Sequence, residues 1–217
     1  MGRVREARAA QEWAESTGVV ALDIGGVLLT TIDDAHLTRL SELTGQPVPL
    51  ITAVLHDSGL YDAYDAGRIS EDELAERLRE GLGAPGLTVD ILAQAWNLML
   101  GETNPVLCAL AARLAAEDRL VLATNSNPWH AEGVRARLAA AGLPADVPFF
   151  ASYMVKVGKP EPGYYRALRE VIGDRGCLAF VDDRERNVVA AAAAGLPAWH
   201  HRDAASTAAH LETVAWP

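Results

Sequence analysis

The chain is 217 residues long, 50% hydrophobic and 22% charged, with a formal net charge of -10 at pH 7. These values suit a soluble protein with one sizeable core and room for a smaller inserted unit. The acidic balance argues against a nucleic-acid groove or an anionic membrane surface, since both need clustered Lys and Arg to neutralise phosphates.

In chain order, the opening "MGRVREARAAQEWAESTG" carries charges throughout and no apolar central stretch, so it reads as a short surface helix or a frayed tail rather than a signal peptide, and the expected location is the cytoplasm. A first strand is predicted over 18–24, "GVVALDI", ending on the carboxylate of Asp23 with Gly25 and Gly26 just beyond. No convincing strand follows before residue 119, only helices. "DDAHLTRLSEL" takes Asp33 or Asp34 as its N-cap, and "SEDELAERLREGLG" shows a capping box from Ser70 to Glu73 with an apolar stripe at Leu74, Leu78 and Leu82. "TVDILAQAWNLMLG" carries a second stripe that includes Leu92 and Trp96. Further strands are predicted over 119–125, 148–155, 177–183 and 196–201, separated by helices, one of which opens at Asn127 and Pro128. Cys108 and Cys177 stand in apolar runs without metal-ligand spacing and read as buried thiols in a reducing compartment.

Strand alternating with helix predicts an α/β fold, a doubly wound parallel sheet joined by right-handed crossovers. The expected core domain comprises residues 1–32 and 106–217, with a helical cap domain over 33–105 at the carboxyl edge of the sheet, where ligands of such sheets bind.

Polar residues gather at the ends of the predicted strands: Asp23, then Thr124 and Asn125, then Lys159 in "KVGKPEPGYY", then Asp182 and Asp183. Each has a plain structural explanation alone, as a turn, a cap or a solvated charge. Together they suit phosphoryl transfer. A carboxylate such as Asp23 can attack phosphorus and divide one hard displacement into two easier ones. Asp23 and Asp183 offer the hard oxygens that Mg²⁺ prefers. Lys159 and the Thr124 hydroxyl would offset and hold the phosphate charge, without which an all-acidic site would repel its substrate.

At these residues the sequence resembles the haloacid dehalogenase superfamily: "LDIGGVL" is similar to its first motif, "VLATNSN" to its second, "GKPEPGYY" to its third and "FVDDRERN" to its fourth, over most of the chain from Gly18 to His201. The resemblance implies a Rossmann-like core, an inserted helical cap and a Mg²⁺-dependent phosphatase acting on a small phosphorylated metabolite. Asp23 would be the nucleophile, with Asp23, the Gly25 carbonyl and Asp183 on the metal. Thr124, Asn125 and Lys159 would hold phosphate, with Asp182 and Asn187 in support. In the cap, His56, Tyr61, Tyr64 and Arg68 are candidates for substrate selection, against the alternative that the tyrosines pack on the cap's own core.

The sequence departs from the family's phosphatases at Gly25, where they carry an Asp that serves as general acid and then base. General acid–base help is worth about 10²- to 10⁴-fold. Phosphonatases need a cap lysine that residues 30–110 lack, and haloacid dehalogenases dispense with the metal that the Asp182-Asp183 pair suggests. "LDIGGVL" and "YDAYDAGRISEDELAERL" are similar to enzymes of the glucose-1-phosphate phosphatase type. Sugar 1-phosphates, with their less basic leaving oxygen, would tolerate the missing acid best. The alternatives are a weakened relative that binds a phosphorylated ligand or a protein partner, and a specialised phosphotransferase. Asp33 and Asp34 are better helix caps than acids, and His200, His201 and Asp203 are a weak metal candidate because adjacent strand residues face opposite ways. Trp96 and Trp129 read as core or rim.

Overall fold

A computed structural model describes residues 18–217. The helix or frayed tail expected over the opening segment lies outside the described residues.

Chain order gives β1 (Val19–Leu22), β2 (Leu29–Thr31), a helical stretch, then β3 (Leu100–Thr103), β4 (Leu120–Thr124), β5 (Phe149–Ala151), β6 (Cys177–Asp182) and β7 (Ala198–His200). All the strands except β2 and β3 form one parallel sheet in the order β5-β4-β1-β6-β7. Every residue of β1 is buried, as a strand covered on both faces requires. The helices after β3 are α6 (Pro105–Ala116), α7 (Pro128–Ala140), the single turn α8 (Ser152–Val155), α9 (Pro162–Ile172), α10 (Glu185–Ala193) and α11 (Ala204–Ala215). Successive side chains of β1 divide between the two layers. Val20 and Leu22 pack with α6, α7 and α11, whereas Val19 and Ala21 pack with α9 and α10. β1 therefore lies at the centre, and its carboxyl end opens between β4 and β6.

The segment between β2 and β3 holds α1 (Ala35–Thr44), α2 (Val48–Thr52), α3 (Leu60–Asp65), α4 (Glu71–Leu82) and α5 (Val89–Asn97), with a π-helical turn at Ala53–Asp57. Side-chain caps fix two of these helix starts: Ser70 accepts from the Glu73 N–H and Thr88 from the Ile91 N–H. Leu40, Ile51, Leu55, Leu74, Leu78, Leu92 and Trp96 form a separate apolar cluster that takes in Trp129 from α7. Trp129 thus inserts into the helical unit from the sheet's side of the molecule. Its indole N–H donates to Glu71 at 3.0 Å.

Three local expectations are corrected. The stretch read as free of strands contains β2 and β3, which pair antiparallel as a ribbon where the chain leaves and rejoins the sheet domain. At three and four residues, with little burial, they carry no alternating pattern, and they are held by their mutual pairing and by the Ile32 N–H donating to the Met99 carbonyl at 2.9 Å. The strand predicted over 148–155 stops at Ala151, because Ser152 turns to meet the loop after β4 and Lys156 takes a left-handed conformation at φ 61. Asp34 occupies the N-cap position of α1 at φ 61 but makes no side-chain cap bond.

Candidate active site

Asp23 leaves β1 with its N–H bonded to the Val181 carbonyl of β6 at 2.9 Å, so the sheet itself sets its position. The next residues fold back at once: the Ile24 carbonyl accepts from the N–H groups of Val27, Leu28 and Leu29. Gly26 must be glycine, since it adopts φ +77 and a Cβ there would collide with the Asp183 carboxylate. Gly25 is under no such demand. Its backbone is not left-handed, and a Cβ would meet only the Thr31 methyl at 3.3 Å, so the missing side chain at this position is a chemical difference and not one forced by space.

Lys159 is 5% exposed and spends its ammonium donors on the Asp182 Oδ2 at 2.6 Å, the Asp23 Oδ2 at 2.9 Å and the Ala123 carbonyl at 3.0 Å. Burial opposes its charge, yet the two carboxylates hold its pKa above the ordinary lysine value. Burial pushes the Asp23 carboxyl up to about 7, with Lys159 pulling it down and Asp182 adding to the rise. Asp182 is fully buried and committed: beyond Lys159, its Oδ1 accepts from the Arg184 N–H and the Asn187 side-chain amide, each at 2.9 Å. Asp183 is half-buried, and burial with the adjacent Asp182 raises its pKa.

The Asn125 amide is engaged by the main chain of Lys159, receiving its N–H at 2.7 Å and donating to its carbonyl at 2.8 Å. Asn125, expected at the phosphate, lines the cavity beside Thr124 and Ser126 while its side chain fixes the lysine; the Thr124 hydroxyl donates to the Asn125 carbonyl at 3.2 Å.

That cavity, of about 450 Å³, has Asp23, Thr124, Lys159 and Asp183 in its lining and is walled on the other side by the helical segment. Tyr61 and Arg68 line it. Tyr64 and His56 do not, which corrects their expected role. Tyr64 is 1% exposed and packs its ring 4.7 Å from that of Trp129, while His56 turns to His36, with their Nε2 atoms 3.1 Å apart. The reading that left the tyrosines on the cap's own core holds for both: Tyr64 is inside the cluster, and Tyr61 packs against it, its ring stacked 6.1 Å from that of Trp96, while also lining the cavity. Asp203 caps α11 through the Ser206 N–H, and His201 bonds Thr207, so the weak metal candidate at the end of β7 is structural.

Sequence reasoning missed Asp65, Ser152 and the second task of Asn127. Asn127 caps α7 through the His130 N–H, as expected, and its amide also donates to the Asp65 Oδ1 at 2.6 Å. The Ser152 hydroxyl donates to the Asp65 carbonyl at 2.5 Å and receives the Ser126 N–H at 3.0 Å. Lys156 holds the Gly67 carbonyl at 2.6 Å. The only sequence signal for this junction was Gly67, which takes φ +62 against the Tyr153 carbonyl, where no side chain fits.

Asp23, Asp182 and Asp183 bring carboxylate oxygens within 4.8 Å of one another. The residues fit a hard divalent cation. Asp183 is free of protein ion pairs among the described residues, the Gly25 carbonyl takes no backbone donor there, and the buried Asn187 Oδ1 has no protein partner. Asp182, with both oxygens bonded by protein donors, serves as support.

A parallel sheet with a carboxylate at the end of its central strand, a lysine bridging two acids and a helical segment across the opening defines a hydrolase of known type. The chain belongs to the haloacid dehalogenase-like hydrolase family, whose pattern it matches over residues 17–195. In fold it is similar to a HAD family enzyme from Bacteroides thetaiotaomicron, with 21% identity and a TM-score of 0.73 over 85% of this chain and 93% of that one. The wild-type form of that enzyme in complex with magnesium and inorganic phosphate gives 23% identity and a TM-score of 0.69 over 85% and 95% of the two chains. A predicted HAD-like family hydrolase from Porphyromonas gingivalis gives 23% and 0.71 over 84% and 90%. No curated protein sequence matches. Among the described residues no helix is long and apolar enough to cross a membrane.

Proposed function

We propose that the protein is a Mg²⁺-dependent phosphatase of small phosphorylated metabolites that works through an aspartyl phosphate on Asp23. The observation that carries this reading is the Lys159 ammonium bonded to both Asp23 and Asp182 on the wall of the shared cavity. A bound cation would be held by Asp23, Asp183 and the Gly25 carbonyl, and would supply positive charge to the phosphate oxygens. Magnesium and phosphate held by the similar Bacteroides enzyme support that choice of ion.

Lys159 keeps Asp23 aimed and offsets charge on the transferring group. Thr124 and Ser126 present hydroxyls to the phosphate oxygens. Asp182 and Asn125 hold Lys159, from its ammonium and its main chain respectively. Residues 33–105 act as a cap that encloses the substrate and reduces access of bulk water.

The cavity volume suits a metabolite of modest size, and Thr30, Thr31, Asp62 and Arg68 in its wall suit a substrate with hydroxyls, which favours sugar phosphates. The test is phosphate release by the purified protein with and without Mg²⁺ across sugar 1-phosphates, sugar 6-phosphates and nucleotides, beside Asp23→Asn. Mg²⁺-dependent release absent from the variant is expected. Release no greater than the variant's across the panel would leave a ligand-binding relative. Phosphate appearing on an added alcohol in place of water would mark a phosphotransferase.

A further inference from the structure

Gly25 leaves the leaving-group oxygen without a proton donor from the first motif, yet the cavity holds another carboxyl group suited to the task. Of the acids lining the cavity besides Asp23 and Asp183, Asp33, Asp62 and Glu161 are exposed, whereas Asp65 is partly buried. Asp65 is the last residue of α3, and its position is fixed by the sheet domain. Ser152 holds its carbonyl, Asn127 holds its Oδ1, and its Oδ2 takes no hydrogen bond among the described residues. No basic side chain makes an ion pair with it there. Arg184 from the loop after β6 and Asp62 on its own helix are the charges that face it, and Tyr61 lies beside them.

We propose that Asp65, supplied by the cap, is the general acid and base of this enzyme in place of the residue missing at Gly25. The inference rests on the phosphatase reading above. In the first step an Asp23 oxygen bonds to phosphorus, the bond from phosphorus to the ester oxygen breaks, and that oxygen takes the electron pair and the proton from the Asp65 carboxyl group. In the second step the Asp65 carboxylate takes a proton from water as the water oxygen attacks phosphorus. The bond to Asp23 breaks, inorganic phosphate leaves and Asp65 is protonated again. Burial, opposed by the Asn127 bond, raises the Asp65 pKa to about 6, which leaves both protonation states accessible near neutral pH. Because Asn127 and Ser152 belong to the sheet domain, the acid is in place only while the cap is docked, which couples closure to chemistry. The wild type then needs no activated leaving group, and the restriction to sugar 1-phosphates lapses.

The test is Asp65→Asn, which keeps an oxygen for the Asn127 bond and so preserves the junction. It is assayed with a primary alkyl phosphate and with p-nitrophenyl phosphate, whose leaving group needs little protonation. With the alkyl ester, turnover should fall by about 10²- to 10³-fold. With the aryl ester, nitrophenolate should appear in a rapid burst equal to the enzyme concentration, followed by a slow steady state, because only the water step lacks its base. A Gly25→Asp, Asp65→Asn double variant should recover steady-state turnover. The proposal is overturned if Asp65→Asn turns over the alkyl ester at the wild-type rate. It is equally overturned if the variant slows alkyl ester turnover and the aryl burst to the same extent, as a loosened cap would. Wild type releasing no more phosphate than Asp23→Asn from either ester overturns the phosphatase reading itself, and the Asp65 assignment with it.

Discussion

Lys159 compensates two carboxylates that the fold places together in a site nearly closed to water. Removing its ammonium as Lys159→Met leaves Asp23 and Asp182 facing each other, and a buried charge without its partner costs about 3 to 5 kcal/mol. The expected outcome is a urea midpoint lowered accordingly and phosphatase turnover reduced by about 10²-fold or more. Asp182→Asn should be milder in stability, since Asn187 and Arg184 retain an oxygen acceptor. At Gly26, alanine meets both a left-handed backbone and the Asp183 carboxylate. Gly26→Ala should therefore weaken Mg²⁺ binding by displacing Asp183, read as a higher Mg²⁺ concentration for half-maximal activity. Gly25→Ala, by contrast, should fold normally.

At the scale of elements, the cap's apolar cluster draws on its own helices and on one residue of α7, Trp129. Trp129 on α7 is 6% exposed and packs against Tyr64 and Trp96, so Trp129→Ala should cost about 3 to 5 kcal/mol and detach the cap from its docking surface. Thermal unfolding would check the first effect and a raised KM the second. His36 on α1 is 1% exposed among Tyr61, Trp96 and His56. Burial first, then the neighbouring His56 and His130, lowers its pKa from 6.5 to about 4. The folded state therefore resists protonation that the unfolded chain accepts. The stability it contributes is full above pH 6.5 and is lost as the pH falls through about 4. The loss amounts to about 3 kcal/mol. A His36→Phe variant should show a shallower decline in urea stability between pH 7 and pH 4 than the wild type.

For the molecule as a whole, the site lies where three separately packed apolar clusters meet, one on each face of the sheet and one within the helical segment. A cation joining Asp23 and Asp183 stabilises the folded chain by mass action, by about 2.7 kcal/mol at a concentration a hundred times its Kd. A rise in melting temperature with Mg²⁺ is expected in the wild type, and its absence in Asp183→Asn would locate the ion. Burial raises Asp183, so the Mg²⁺ shift should weaken as acid protonates that carboxyl group.

Much of this was legible in the sequence because the signals were local and periodic. Buried runs such as "VVAL" and "LVLAT" read as strands, Ser70 and Asn127 as caps, and the acids and lysine at strand ends as one constellation. The β2 and β3 ribbon escaped notice because short pairing segments have no pattern apart from each other. The same holds for side-chain commitment. Nothing in the order of residues says that the Asn125 amide is spent on Lys159, that Tyr64 turns inward while Tyr61 lines the cavity, or that Asp65 meets Asn127 across 62 positions. By itself the sequence determined which chemical groups stand at the ends of the strands and that helices interrupt the first crossover, since periodicity and residue type are local properties. Only the tertiary structure decided which of those groups keep a free lone pair or proton for a ligand, because that depends on partners brought together by packing from distant parts of the chain.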